Sequence, residues 1–158
     1  MRVAAAADEV RAAAKAWCRE SKTIALVATM GGLHAGHAAL MASARALADR
    51  VVASVFVNQL QFDRADDYER YPRTAESDLA LLRECGVDLA FTPAADAMFP
   101  PAGGQIVFVD PGPLARDLCG AHRAGHFRGM ATVVVKLFAV CAPDIALFGE
   151  KDLSLIHI

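Results

Sequence analysis

The sequence lacks an excess of charge of either sign, paired cysteines and long apolar runs. Its 158 residues include 16 Lys and Arg against 18 Asp and Glu, so there is no global basic field to favour nucleic acid. Its four cysteines form no C-x-x-C pair, which favours reduced core thiols over a zinc knuckle or a disulfide framework. The N-terminal segment shows neither a signal-type apolar block nor a spanning run. We therefore expect a cytoplasmic protein without nucleic-acid or membrane partners.

Three widespread motifs are also missing from the sequence. It contains no G-x-x-x-x-G-K-[ST] loop, no G-x-S-x-G elbow and no G-x-G-x-x-G turn. Serine hydrolysis and hydride transfer on a dinucleotide therefore lose support. What is present is a 55% apolar composition with 22% charged residues, far from the signature of disorder. We expect one folded domain with a substantial core.

Strand-like and helix-like segments alternate along the chain. Short apolar, β-branched runs predict buried parallel strands. Helices are predicted by apolar residues at intervals of three and four, by the cap Thr74 with an acidic first turn behind it, or by length. The predicted strands are Thr23–Ala28, Val51–Val57, Val87–Phe91, Gln105–Val109 and Ile145–Phe148, and the predicted helices are Val3–Arg19, Ala38–Ala48, Thr74–Cys85 and Met130–Val140. This alternation predicts a Rossmann-like, doubly wound parallel sheet with flanking helices.

The strongest chemical signal is a pair of histidines, His34 and His37, after a buried strand and the two glycines Gly31 and Gly32. Residues three apart share one side of a helical turn, and a helix N-terminus favours an anion. Imidazole donors there would neutralise charge on the phosphates of a nucleotide. The alternative is a surface or metal-binding pair of histidines at an ordinary turn.

A second polar cluster, Asn58, Gln59 and Gln61 with Phe56 and Phe62, follows the next strand. Neutral amides beside an aromatic wall suit a small polar organic substrate, although such residues also end strands in solvent. Because ligands of doubly wound sheets bind at the carboxyl ends of the strands, these clusters should converge in space.

Two further clusters and one acidic run are less specific. The segment 149–152, Gly-Glu-Lys-Asp, pairs a cation for phosphate with carboxylates for ribose, or is a plain turn. The segment 123–129, Arg-Ala-Gly-His-Phe-Arg-Gly, is interpreted as a mobile phosphate-facing loop or as a solvated basic loop. Asp66, Asp67 and Glu69 either hold Mg²⁺ or form a solvated edge.

Six ordered stretches together resemble one family, the pantothenate synthetases (pantoate–β-alanine ligases) of the H-x-G-H nucleotidyltransferase superfamily. They are TMGGLHAGH, SVFVNQLQF, DYERYPRT, CGVDLAFTPAADAMFP, RAGHFRGMATVVVKLF and PDIALFGEKD. The resemblance implies an ATP- and Mg²⁺-dependent ligase that converts pantoate into pantoyl adenylate and then joins it to β-alanine. It also implies a homodimer.

The resemblance also implies the roles of individual residues. His37, His34 and Lys151 would be catalytic. The expected ATP-binding residues are Met30, Gly31, Gly32, Leu33, His34, Ala35, Gly36, His37, Asn58, Gly149, Glu150, Lys151 and Asp152. The expected residues for pantoate and β-alanine are Gln61, Met30, Met130, Val133 and Val134; the metal ligands are not identified.

The sequence departs from the family pattern in several places. Ala28, Ala35 and Gln59 replace a usual proline, glutamate and proline, which look tolerable. Leu153, Ser154 and Leu155 stand where the family has a glutamine pair, so one pantoate anchor is absent. We expect residues 1–152 to form an incomplete ATP- and pantoate-binding domain, 153–158 to be an atypical tail, and the family's C-terminal lid domain to be absent.

Two other functions remain open on the sequence alone. The same fold could transfer a nucleotidyl group to a different acceptor. Alternatively, the 158-residue chain is a nucleotide-binding or self-associating module without catalysis, and we expect it to show weak or no turnover when assayed alone.

Overall fold

The structure of the chain is a computed structural model that describes residues 1–100 and 106–152. Its centre is a sheet of five parallel strands in the spatial order β1-β4-β3-β2-β5. The strands are β1 Arg2–Ala4, β2 Ile24–Thr29, β3 Arg50–Val55, β4 Leu89–Phe91 and β5 Ile145–Leu147. The order β4-β3-β2-β5 is that of strands 3-2-1-4 of a Rossmann fold, with β1 added at the edge.

Six α-helices flank or follow the strands in the described part of the chain. They are α1 Ala7–Arg19, α2 Ala35–Leu47, α3 Ala65–Arg70, α4 Ala75–Glu84, α5 Ala95–Met98 and α6 His126–Cys141. Short 3₁₀ turns at Gln59–Gln61 and Glu150–Asp152 follow β3 and β5. None of the helices in the described ranges is long and apolar enough to cross a lipid bilayer.

The sheet is covered on both faces, which explains the unbroken apolar strands. On one face, Leu26 and Val52 pack with Val10 of α1 and Leu137 of α6. On the other face, the alternate strand residues pack against α2 and α4, where Met41 is fully buried. This two-sided burial agrees with the doubly wound sheet that the sequence predicts.

Strand β2 pairs with β3 along one of its edges and with β5 along the other. Strand order therefore reverses between β2 and β5. The crevice outside their carboxyl ends is where a fold of this kind binds ligands. The histidine pair follows β2 and the segment from Gly149 follows β5, so both sequence motifs lie at this point.

The structure corrects several predicted element bounds. Val3 belongs to β1, whose pairing with β4 the local alanine-rich pattern does not reveal. Gln105 lies outside the described residues, and 106–109 form no strand; the Val109 N–H instead donates to Thr132 Oγ1 at 3.0 Å. The loop after β3 contains α3. The last helix begins at His126, four residues before the predicted start, because the glycines at 125 and 129 do not prevent helix formation there.

The cysteines differ from one another in burial. All four lie in the described part of the chain and are free thiols. Cys141 is buried and Cys85 is half-buried, but Cys18 and Cys119 are exposed. The expectation that all four are core residues is therefore wrong for these two.

Candidate functional site

The turn after β2 is built from two glycines in left-handed conformation, Gly31 (φ +88°) and Gly32 (φ +63°). Such φ values are strained for any residue with a side chain. The Gly31 N–H donates to Thr29 Oγ1 at 3.3 Å. The N–H groups of Gly32 and Leu33 both donate to the carboxylate of Asp78, at 3.1 and 2.8 Å. The turn is thus fixed by side chains before the next helix begins.

The two histidines stand at the start of α2 and orient each other. His34 is the N-cap, and its Nδ1 accepts the N–H of Gly36 at 3.1 Å. The Nδ1 of His37 accepts the N–H of His34 at 3.3 Å, and the two ring centroids lie 4.2 Å apart. Because both Nδ1 atoms accept, each neutral ring carries its proton on Nε2. The pair is therefore oriented as two Nε2–H donors.

The amide cluster after β3 is a connected and buried network. Asn58 Nδ2 donates to Gln61 Oε1 at 3.0 Å and to the carbonyl oxygen of Gly129 at 3.1 Å, and Asn58 Oδ1 accepts the N–H of Leu60. Gln61 Nε2 lies 2.8 Å from the sulfur of Met30. Asn58 thus fixes which way the Gln61 amide points. The Gln61 NH₂ group has two N–H donors, so it can bind a ligand as well as contact Met30.

The start of α6 holds this amide cluster in place. A Cβ at Gly129 would lie 2.1 Å from the carbonyl oxygen of Leu60, so only glycine permits this approach. His126 Nδ1 lies 2.7 Å from the carbonyl oxygen of Gln61. Since that oxygen can only accept, the Nδ1 atom must carry a proton. Burial lowers the pKa of His126, which keeps the ring neutral.

A cavity of about 580 Å³ brings the predicted residues together. It lies outside the carboxyl ends of β2 and β5, as the topology requires. Thirteen of the predicted site residues line it: Met30, Gly31, Gly32, His34, Gly36, His37, Asn58, Gln61, Met130, Val133, Val134, Gly149 and Asp152. The two imidazoles and the Gln61 amide therefore face one space, which is within the usual size range of ligand pockets.

The remaining predicted residues are placed differently. Leu33 packs against the core on the α2 side of the sheet, and Ala35 and Glu150 are not among the residues that line the cavity. The backbone of Lys151 lies in the 3₁₀ turn after β5, but its side chain is outside the described part of the structure. The N–H of Asp152 closes that turn on the carbonyl oxygen of Gly149 at 2.8 Å.

The cavity also contains polar residues that sequence reasoning missed, chiefly Thr29, Ser43 and Tyr71. Burial raises the pKa of the Tyr71 phenol, and the charge of Asp78 raises it further. Tyr71 packs edge-on against Phe62, with centroids 5.7 Å apart. Tyr71 lies in the stretch DYERYPRT, but the sequence alone does not place it at the cavity, because its position depends on how the long loop after β3 folds back.

Most of the segment 123–129 forms the start of α6 and not a loop. Its Arg123 donates to Asp63 at 3.2 Å and to the carbonyl oxygen of Gln61 at 3.3 Å, and His126 and Phe127 are buried at the start of α6. Arg123 and His126 both contact the carbonyl oxygen of Gln61 and so hold the backbone of the amide cluster in place. The interpretation of the segment as a loop is therefore wrong from His126 onward, although Arg128 is exposed.

The acidic run lies on α3, where Asp66, Asp67 and Glu69 are exposed. Within the described ranges, no group of three or more His, Cys, Asp or Glu side chains is arranged to hold a metal ion. The interpretation of a solvated edge fits this arrangement better than that of a magnesium site.

Comparison with known proteins agrees with the geometry. A family model described as pantoate-beta-alanine ligase matches residues 2–158. The chain belongs to the pantoate–β-alanine ligase family. It is 54% identical over 147 residues to a pantothenate synthetase of Thioalkalivibrio sulfidiphilus, covering 93% of this chain and 51% of that protein. A pantothenate synthetase of Photobacterium profundum is also 54% identical, over 87% of this chain and 47% of that protein.

Two solved structures of the ligase family share the fold. That of the pantothenate synthetase of Thermus thermophilus is 47% identical with a TM-score of 0.87, and covers 99% of this chain and 54% of its own. A Francisella tularensis pantoate-beta-alanine ligase, complexed with beta-gamma ATP and beta-alanine, is 34% identical with a TM-score of 0.92. That match covers 99% of this chain and 59% of the F. tularensis chain. The Rossmann-like fold class is confirmed. The chain spans about half the length of these relatives.

Proposed function

We propose that this chain carries the ATP- and pantoate-binding site of a ligase that condenses pantoate with β-alanine. One observation carries the proposal: the His34–His37 pair and the Gln61 amide face the same cavity at the point where strand order reverses. Family membership and the F. tularensis complex with a nucleotide and β-alanine support it.

The first step would form an acyl adenylate. The carboxylate of pantoate attacks the α-phosphorus of ATP, a P–O bond forms, and pyrophosphate leaves with the electron pair of the broken bond. His34 and His37 would donate their Nε2–H groups to phosphate oxygens, so that negative charge is neutralised as it moves. Lys151 is proposed to add a positive charge on phosphate, with Asp152 toward the ribose and Gly149 beneath the nucleotide.

The second step would form the amide bond. The neutral amine of β-alanine attacks the acyl carbon of pantoyl adenylate, AMP leaves, and the amine loses a proton. Gln61 would hold pantoate through its Nε2, and later β-alanine, while Met130, Val133 and Val134 form the apolar wall. No side-chain nucleophile is required, because positioning and charge stabilisation supply the catalysis.

Mg²⁺ is proposed to arrive with ATP as part of the substrate. The described cavity offers one carboxylate, Asp152, beside neutral amides and imidazoles. Magnesium bound by few protein carboxylates plus phosphates and water is its usual arrangement in nucleotide sites. The residues present therefore fit a nucleotide-borne ion better than a dedicated protein cage.

Calorimetric titration of the 158-residue chain tests the proposed site. We expect binding of both MgATP and pantoate. The double change His34→Ala and His37→Ala should abolish ATP binding, and Gln61→Ala should selectively weaken pantoate binding. His122→Ala, an exposed histidine outside the cavity, is the matched control. Failure of the wild-type chain to bind either ligand would contradict the proposal.

The identity of the acceptor needs a separate assay. Pyrophosphate release should require ATP, Mg²⁺ and pantoate together, and it should be slow in this chain. Other small carboxylic acids and phosphopantetheine should not replace pantoate. Release that is indifferent to pantoate but dependent on one of these acceptors would favour a nucleotidyltransferase of different specificity.

We also propose that the protein is cytoplasmic and forms a homodimer, as the family resemblance implies. Val135 and Phe138 on α6 expose apolar side chains, as do Val107 and Phe108 in the segment before α6. Exposed apolar side chains of this kind supply a surface suited to self-association.

A further inference from the structure

Asp78 is a buried carboxylate that the proposed chemistry does not use. It lies one turn into α4 and is 3% exposed. Its Oδ2 accepts the N–H of Gly32 at 3.1 Å, and its Oδ1 accepts the N–H of Leu33 at 2.8 Å. The hydroxyl of Thr74 donates to Oδ1 as well, at 3.1 Å. Three donors on one carboxylate make it the main anchor of the turn after β2.

This anchor changes how the turn can meet a phosphate. Successive backbone N–H groups of a glycine-rich turn usually serve as the anion-binding element. Here the N–H groups of Gly31 to His34 point to protein acceptors: Thr29 Oγ1, the two oxygens of Asp78, and Nδ1 of His37. These four N–H groups are therefore engaged within the protein, and the imidazoles that are proposed to contact phosphate depend on this turn for their position.

The fit between Asp78 and the turn is also steric. A Cβ at Gly31 would lie 2.9 Å from Asp78 Oδ2, closer than a real contact permits. A second cavity of about 270 Å³ is lined by Asp78 and Thr74 and shares Met30 and Gly31 with the main cavity. The turn thus separates two cavities. The packing of Leu33 against the core and the hydrogen bond from Gly31 to Thr29 hold its two ends, and the two hydrogen bonds to Asp78 hold its middle.

We propose that Asp78 is a positioning residue: by binding the N–H groups of Gly32 and Leu33, it sets the turn that aims Met30 and the His34–His37 pair into the nucleotide cavity. Asp78 acts through this turn and touches no reacting atom. The inference rests on the proposed function for its consequence on ATP binding. Its geometric part concerns the ligand-free chain alone.

Asp78→Asn is the sharpest substitution because it keeps the shape of the side chain. The amide retains one acceptor oxygen but replaces the other with an NH₂ donor, which opposes one of the two backbone N–H groups. Glu76→Gln, at an exposed position of the same helix, makes the same change in charge and is the control. Thr74→Val is a milder variant that leaves both backbone hydrogen bonds in place and removes only the third donor.

Two measurements on the 158-residue chain decide the matter. In ligand-free protein, ¹⁵N spectra of the histidine rings and of the Gly32 and Leu33 amides should shift in Asp78→Asn and not in Glu76→Gln. ATP affinity should fall about tenfold or more in Asp78→Asn, a few-fold in Thr74→Val, and less than twofold in the control, as expected for lost charge-assisted hydrogen bonds. Thermal melting shows which variants are folded at the assay temperature.

Each outcome has a definite meaning. A folded Asp78→Asn variant with unchanged ring signals and unchanged ATP affinity would overturn the inference. This holds even if the melting temperature of that variant is lower, because a loss of stability alone shows only a structural role. If Asp78→Asn does not fold, the same two readouts in Thr74→Val decide. If the wild-type chain does not bind ATP, the proposed function fails, whereas the ring and amide signals still test whether Asp78 sets the turn.

Discussion

Backbone hydrogen bonds determine which nitrogen of His34 and of His37 carries the ring proton. Each ring accepts a main-chain N–H at Nδ1, from Gly36 for His34 and from His34 itself for His37. The proton is thereby placed on Nε2 in both rings, which is the state that can donate to an anion. The capping of α2 and the orientation of the proposed catalytic groups are thus the same set of hydrogen bonds.

Replacing His37 by alanine removes a proposed donor to phosphate together with the acceptor of the His34 N–H. We expect turnover in pantoate-dependent pyrophosphate release to fall by about 10²–10⁴-fold, as for a group that stabilises charge in the transition state. The measurement is single-turnover release of pyrophosphate, with His122→Ala as the control. An unchanged rate would remove His37 from the proposed role.

His126 should make stability depend on pH. Burial holds its pKa below the usual 6.5, and the nearby charge of Arg123 acts in the same direction, against the opposing influences of the Gln61 carbonyl oxygen and Asp63. On acidification, His126 is protonated at a higher pH in the unfolded chain than in the folded chain. Its contribution to the free energy of unfolding is therefore complete above about pH 6.5 and is lost as the pH falls.

Melting temperatures between about pH 8 and about pH 5, which span the titration range of histidine, test this dependence. The variant His126→Asn keeps a donor near the position of Nδ1 but does not titrate. We expect the wild-type melting temperature to fall more steeply on acidification than that of the variant. Parallel curves would show that His126 does not cause the effect.

The four thiols should differ in reactivity. Cys18 and Cys119 are exposed, whereas burial raises the pKa of Cys141 to about 12, so that its thiolate is scarce. We expect iodoacetamide to label Cys18 and Cys119 first, Cys85 more slowly, and Cys141 only after denaturation, as read by peptide mass spectrometry. Early labelling of Cys141 in native protein would contradict its burial.

Among the elements, α6 contacts the amide cluster through its backbone as well as its side chains. Its Gly129 lets the helix lie against the 3₁₀ turn Gln59–Gln61, where Asn58 donates to the Gly129 carbonyl oxygen. The helix therefore supports the amide cluster with its backbone as well as with Met130, Val133 and Val134. This contact joins two distant segments of the chain, since Asn58 and Gly129 are separated by 71 positions.

Gly129→Ala should push α6 away from the 3₁₀ turn Gln59–Gln61. The added Cβ would lie 2.1 Å from the Leu60 carbonyl oxygen, so backbone must shift. We expect a loss of about 1–3 kcal/mol in the free energy of unfolding, together with weaker pantoate binding. Urea unfolding and calorimetry measure the two effects, and Val135→Ala on the exposed side of α6 is the control. Equal stability of both variants would contradict the close contact.

The elements also show what the sequence could and could not predict. The sequence predicts β2, β3, β4 and β5 from short apolar runs and α1 and α2 from their periodicity, because these patterns follow from burial against a sheet that is covered on both faces. It predicts α4 from the cap Thr74 and the acidic first turn, and α6 from its length. The three-residue strand β1 was missed since its conformation depends on pairing with distant β4. The short α3 was missed because its exposed residues carry no apolar pattern.

The candidate site divides in the same way. His34, His37, Asn58 and Gln61 follow strand ends and were expected to converge, as the cavity shows them to do. Asp78 could not be identified from the sequence. It lies within an ordinary helical pattern, and its partners Gly32 and Leu33 are 46 and 45 positions away.

At the scale of the whole molecule, an apolar surface remains on α6. Val135 is 48% exposed and Phe138 is 37% exposed, unlike Leu137 and Val140, which are buried. We expect the chain to self-associate through this surface and the double change Val135→Ser and Phe138→Ser to shift it toward monomer in sedimentation velocity. A wild-type chain that is monomeric at high concentration would contradict the proposed homodimer.

The pairing of β5 with β2 has a consequence for the time course of folding. The N–H of Ile24 donates to Asp144 across 120 positions of chain, so this contact closes a very long loop. Closing long loops is entropically costly and contributes to slow folding. We therefore expect strands β2, β3 and β4 and their helices to assemble before β5 pairs with β2, and the crevice to form last. A nucleotide that bridges the ends of β2 and β5 would then slow the departure of β5, so ligand should act mainly on the rate of unfolding.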